Sequence, residues 1–145
     1  MTSDATEHLL LVEDNPDEAA LIRRALAARG WAQLTVLTHG QRAIDYLLRR
    51  GAYAGRSGGD PALVLLDIGL PDISGLEVLE TIRAHAALRH VPVVMLTVSD
   101  DEAVRAGSFE TGANLFVTKP SQPAELTATV HAIGTFLAEQ RRQGR

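Results

Sequence analysis

The sequence predicts an α/β protein: a five-stranded parallel sheet with helices on both faces, strands and helices alternating and joined by right-handed crossovers. Three observations carry this. Short, continuous apolar runs at residues 9–12, 62–66 and 91–96 mark strands buried on both faces rather than on one. Between them stand longer stretches whose apolar residues recur every three to four positions, the period of a helix with one buried side. The apolar runs at 9–12 and 62–66 also stop abruptly on acids, with proline or glycine close behind, as strands do when they leave a sheet.

In chain order, LLLV at 9–12 is the first strand and ends on Glu13 and Asp14. Asn15 is placed to cap a helix, with Pro16 at the first helical position and Glu18 at the third, the pattern of a capping box. Leu21, Ile22, Ala25 and Leu26 give that helix an apolar stripe, and Gly30 closes it. Residues 33–37 read as the second strand, and a helix over 40–50 buries Ala43, Ile44, Leu47 and Leu48. GAYAGRSGGD, 51–60, is glycine-rich and aperiodic; it reads as a long flexible connection, an idle surface insertion in preference to a functional lid. The third strand, 62–66, ends on Asp67, and turn residues Gly69, Pro71, Asp72 and Gly75 follow. Leu76, Val78, Leu79 and Ile82 mark the third helix, 75–84; VPVVML at 91–96 is the fourth strand and ends on Thr97. A weaker helix over 101–111 is stopped by Gly112, a short fifth strand at 114–117 ends near Lys119 and Pro120, and a last helix over 122–139 aligns Leu126, Val130, Ile133 and Leu137.

A length of 145 residues suits one domain, and elements fill nearly all of it, so no internal boundary is expected. Net charge is −4, and the only basic run is the terminal Arg141, Arg142 and Arg145, which argues against nucleic acid as the partner. Cysteine is absent, which removes disulfides and Cys-based zinc sites. The polar, acidic N-terminus is no signal peptide, and no apolar run approaches the ~20 residues that span a bilayer. A cytoplasmic protein without a membrane segment is expected. The five histidines show no metal spacing and read as surface residues; Trp31 has no motif around it.

In such a sheet the carboxyl ends of the strands share one rim, where ligands of open α/β sheets gather. Glu13 and Asp14, Asp67, Thr97 and Lys119 all fall there. Three carboxylates together repel, each pair at ~4 Å by about 4 kcal/mol at an effective dielectric near 20. The cluster needs cations: Lys119 supplies one charge, and oxygen-only ligands suit Mg²⁺ or Mn²⁺ for the rest. The chemistry available to this set is phosphoryl transfer, with Asp67 as nucleophile and Thr97 and Lys119 on the transferred group. Neither GxxxxGK[ST] nor GxGxxG is present, so a protein or small phosphodonor is expected rather than tightly held ATP.

LLLVEDNPDEAALIRRAL, LVLLDIGLPDISGLEVL, VPVVMLTVSD and GANLFVTKP together resemble the receiver domain of two-component response regulators, over residues 8 to 139. The resemblance implies the (βα)5, flavodoxin-like receiver fold with Asp67 as phosphoryl acceptor. It implies Glu13, Asp14 and Asp67 as metal ligands joined by the Gly69 backbone carbonyl, and Thr97 and Lys119 as partners of the phosphoryl group. Phe116 resembles the aromatic that changes rotamer with Thr97 on switching, and the Lys119–Pro120 bond resembles a cis peptide of the family. The chain departs from commoner patterns in Glu13 for Asp, Phe116 for Tyr and Val98 for a smaller residue. LVEDNPDE, the glycine loop and SFETGANLFVTKP look most like small regulators paired with bacterial phytochrome kinases.

A stand-alone receiver is therefore expected, phosphorylated by a sensor histidine kinase or phosphotransfer protein and catalysing only its own phosphorylation and hydrolysis, not a classical enzyme. Only 26 residues follow Lys119 (145 − 119), too few for an output domain beyond the last helix. The kinase is expected over the helix from 16 to 28 and its Ile22 ridge. Output is expected through a homodimer on the face of helix four, strand five and the last helix, 101–139, where Phe136 lies about 80° from the apolar stripe. Two rivals stand beside this reading. A haloacid-dehalogenase-like hydrolase expects an acid where Gly69 stands, and a phosphorylation-independent binding module expects a lost acceptor, acid or lysine.

Overall fold

The computed structural model describes residues 8–98 and 101–143. Residues 1–7, Ser99 and Asp100 of the third motif, and Arg145 of the terminal basic run lie outside the described residues. Strands β1 (Leu9–Val12), β2 (Leu34–Leu37), β3 (Leu63–Leu66), β4 (Val93–Thr97) and β5 (Leu115–Thr118) alternate with helices α1 (Pro16–Ala27), α2 (Gly40–Leu48), α3 (Gly75–Ala84), α4 (Glu102–Thr111) and α5 (Pro123–Gln143). All pairings are parallel, in the order β2-β1-β3-β4-β5. The expected fold class holds, β1 and α3 match expectation at both ends, and the other element ends differ by at most four residues.

Strand order reverses between β1 and β3, the switch point beside which open α/β sheets hold their ligands. One face of the sheet packs on α1 and α5 through Leu11, Leu65, Ile22, Val130 and Ile133; the other packs on α2 and α3 through Val12, Leu66, Met95, Leu79 and Phe116. β1 and β3 are buried on both faces, which is why they read as unbroken apolar runs.

Four expectations need correction. Ile22 is fully buried, because Ala19, Ile22, Ala25 and Leu26 form the stripe that meets α5, so it offers no ridge to a kinase. The 51–60 connection is folded onto α2 rather than loose. Arg49 ends α2 in the left-handed region (φ 56°), and its guanidinium donates to the carbonyls of Arg56 and Gly58. Arg56 in turn donates to the Tyr46 carbonyl at 3.0 Å and lies 4.0 Å over the Tyr46 ring. His8, His39 and His131 are half-buried rather than superficial, His8 with Nε2 2.9 Å from the Tyr46 hydroxyl. The Lys119–Pro120 bond is trans, the form X–Pro bonds favour by about 0.5–1 kcal/mol. Trp31, which had no assigned role, donates through Nε1 to the Gly134 carbonyl and ties the end of α1 to α5.

Two devices fix the turn after β3. Ser74 and Glu77 form a capping box that starts α3. Asp72 accepts from the amides of Gly40 and Gln41 at 2.8 and 2.9 Å and so caps α2, whose own N-cap, His39, makes no side-chain cap bond. At Gly75 a Cβ would stand 2.2 Å from the Asp67 carbonyl oxygen, so only glycine fits there.

Candidate functional site

The sheet's pleat sorts the rim residues onto two sides. Leu11, Leu65 and Val117 face α1 and α5. Two residues on along each chain stand Glu13, Asp67 and Lys119, which meet on that same side. Met95 and Phe116 face the opposite side; Thr97 lies two beyond Met95 and pairs in register with Thr118. The rim is thus one charged cluster on the α1–α5 face and Thr97 on the other, with Phe116 one step further from the rim on the neighbouring strand.

Lys119 Nζ is 2.7 Å from Glu13 Oε1, 2.7 Å from Glu18 Oε1 and 3.4 Å from Asp67 Oδ2. The lysine and Glu13 side chains are 3% and 2% exposed. Burial alone would weaken the Lys119 ammonium. Hydrogen bonds to Glu13 and Glu18 and the charge of Asp67 outweigh it, so its pKa lies well above the usual lysine value. Glu13 moves the other way from a fully satisfied ion pair. Its burial raises the carboxyl pKa, and the bonds from Lys119 and the Asn15 amide offset only part of that. The two shifts are consistent, because one ammonium is shared among three carboxylates.

That deficit suits a cation. Carboxylate oxygens of Glu13, Asp14 and Asp67 lie within 4.8 Å of one another, Asp14 is exposed, and oxygen-only donors match a hard divalent ion. Glu13, Asp14 and Asp67 are the side chains that would hold it. Asp67 itself is 9% exposed; its Oδ1 accepts from the Gly69 amide at 3.1 Å. Thr97 is buried at the end of β4, and its carbonyl accepts from the Lys119 amide at 2.6 Å. Phe116 is buried, with the Arg105 guanidinium 5.4 Å from its ring centre and 5.7 Å from that of Phe109.

Sequence reasoning missed Glu18 as a site residue. It reads as the returning arm of a capping box, but Glu13 Oε2 accepts from the Asn15 amide at 3.1 Å and fills that role. Asn15 still caps α1 by accepting from the Asp17 and Glu18 amides, while the Glu18 carboxylate reaches Lys119. A signal was present: Glu18 lies four residues before the buried Ile22, on the core-facing flank of α1, where an acid needs a cation.

The response regulator receiver domain model matches residues 9–131. The chain belongs to the receiver family. FilR2 of Methanothrix harundinacea, a probable methanogenesis regulatory protein, is 42% identical over 132 residues, covering 88% of this chain and 81% of its own. The response regulator Rcp1 of Synechocystis is 33% identical over 138 residues, 94% of this chain and 92% of its own. The Mn²⁺-bound form of Rcp1 superposes with a TM-score of 0.83 at 32% identity, covering 90% and 93% of the two chains. The phosphorylated cyanobacterial phytochrome response regulator RcpA superposes at 0.86 with 33% identity, covering 92% and 95%. Receivers accept phosphoryl groups, work with histidine kinases, bind Mg²⁺ or Mn²⁺ at an acidic pocket, and are not classical enzymes. No helix among the described residues is long and apolar enough to cross a membrane.

Proposed function

We propose that this receiver takes its phosphoryl group on Asp67. One observation carries the assignment: Asp67 stands at the end of β3 with Oδ2 3.4 Å from a buried lysine and its carboxylate within 4.8 Å of an acid pair. A carboxylate oxygen of Asp67 attacks phosphorus as the bond to a donor histidine nitrogen breaks, and Lys119 and the Thr97 hydroxyl take the charge left on the phosphoryl oxygens. Glu13, Asp14, Asp67 and the Gly69 carbonyl would hold a Mg²⁺ or Mn²⁺ ion, which would neutralise charge on the approaching dianion. The protein catalyses its own phosphorylation and hydrolysis and no other reaction.

Similarity to Rcp1 and RcpA supports a sensor histidine kinase of the bacteriophytochrome kind, or a phosphotransfer protein, as donor. Output then falls to the α4–β5–α5 face, switched by Thr97 and Phe116 and expressed as a homodimer. Phe109 and Phe136, 43% and 38% exposed, stand on α4 and α5 and support that face as a partner surface.

Acetyl phosphate with Mg²⁺ should add one phosphoryl mass to the protein and none to Asp67→Asn; a fully labelled variant by intact-mass spectrometry would remove Asp67 as acceptor. Sedimentation of both phosphorylation states, with Phe136→Asp as control, tests the dimer. Monomers in both states at tens of micromolar would leave a different protein as the target.

A further inference from the structure

The Lys119 ammonium has three N–H donors, and three carboxylates take them. A phosphoryl oxygen arriving on Asp67 therefore needs a donor already in use. Two of the occupied acceptors are poor candidates to give way. Glu13 is 2% exposed and would be left as an unpaired buried charge, and Asp67 is the residue that carries the group. Glu18 differs: its side chain is 33% exposed, so water can take over its solvation when the ammonium leaves. It is also free of other duties, since Glu13 fills the reciprocal cap on the Asn15 amide.

We propose that Glu18 is the resting counter-ion of Lys119, a positioning residue that must release the ammonium before Lys119 can serve a phosphoryl group, and so weakens the phosphorylated state against the resting one. The proposal rests on Asp67 as acceptor. It makes the acidic third position of α1 a setting for the threshold of the switch: the stronger its hold on Lys119, the more favourable the phosphodonor must be. The ion pair also accounts for the side chain's direction, since Glu18 turns from its own helix terminus towards a cation delivered from β5, 101 residues away.

Beryllofluoride, which mimics the phosphoryl group, tests this in calorimetric titration at saturating Mg²⁺. Glu18→Gln keeps the shape and removes the charge, and should tighten binding about 5-fold or more, the scale of one half-buried charged hydrogen bond. Asp17→Asn removes an exposed acid from the same turn and should change affinity less than about 2-fold, as a screened surface charge does. A second readout needs neither metal nor mimic: in urea unfolding, Glu18→Gln should destabilise the wild-type background yet stabilise Lys119→Met, where Glu18 can only repel Glu13 and Asp67. Equal tightening by Glu18→Gln and Asp17→Asn would reduce the effect to bulk charge and overturn the proposal. Unchanged or weaker binding by Glu18→Gln would do the same, the latter showing that Glu18 aims Lys119 at the phosphoryl group. Wild-type protein that binds no beryllofluoride would instead remove the acceptor assignment, and this proposal with it.

Discussion

Lys119→Met keeps most of the side chain's length and deletes its charge. The variant leaves Glu13, Glu18 and Asp67 facing one another without the ammonium 2.7, 2.7 and 3.4 Å away. Breaking a buried ion pair by removing one partner costs about 3–5 kcal/mol when the survivor stays ionised. Here the survivor has an escape, because Glu13 can take up a proton. An ordinary glutamate titrates near 4.5. Protonating it at pH 7 costs about 3.4 kcal/mol, or 2.5 pH units at 1.36 kcal/mol each. Burial already raises the Glu13 pKa, so the true ceiling is lower. The expected loss at pH 7 is therefore about 2–3 kcal/mol, measured by urea unfolding without divalent ions. Its pH dependence follows from sign. A carboxyl whose folded pKa is raised binds its proton more tightly when folded, so its destabilisation is full above the folded pKa and relieved as pH falls through it. The deficit of Lys119→Met should therefore shrink as pH falls from 7 towards the ordinary glutamate value of 4.5. Mg²⁺ should stabilise the variant more than the wild type, since no ammonium then competes with the ion for the acid cluster. A variant as stable as wild type at pH 7 without metal would refute the shared-ammonium account of the site.

Asp14→Ala removes the exposed member of the three acids proposed to hold the ion, so Mg²⁺ affinity should fall about tenfold or more, the scale on which even outer partners of a metal are felt, while metal-free stability holds or rises; unchanged affinity by titration would mean the acids are misassigned. Gly75→Ala drives a methyl against the Asp67 carbonyl and should cost about 1–3 kcal/mol and slow labelling by acetyl phosphate; wild-type melting and labelling would show that the turn has slack. The His8 pKa is lowered, first by burial and then by the charge of Arg56. A depressed histidine leaves the unfolded chain binding more protons, so stability should decline as pH drops below about 6.5 until the folded group titrates. His8→Gln should flatten that limb between pH 7 and pH 5.5; an identical profile would place the pH dependence elsewhere.

The strands β1, β3 and β4 were legible because burial on both faces leaves no polar residue to break the run, and each ended within two residues of where the apolar pattern ended. The acid pair, Asp67 and Lys119 were legible for the related reason that chemistry in this architecture collects just beyond such runs. The 51–60 segment was not. Its order comes from Arg49 and Arg56 reaching carbonyls and a tyrosine ring on and beside α2, contacts with no periodic signature.

By itself the sequence determined the elements, their parallel alternation and the residues at the rim, since each follows from local pattern within a few positions. Only the tertiary structure decided how strands order across the sheet, and so that β1 and β3 lie side by side with their acids touching one lysine. The same holds for the direction of Ile22 into the core, for Asp72 capping a helix that begins 32 residues earlier, and for Glu18. A side chain at a helix terminus has two competing uses, one within its own turn and one across the fold. Local spacing sees only the first. For Glu18 the second prevails because a buried ammonium, brought from the far end of the chain, offers a stronger bond than a backbone amide that Glu13 already serves.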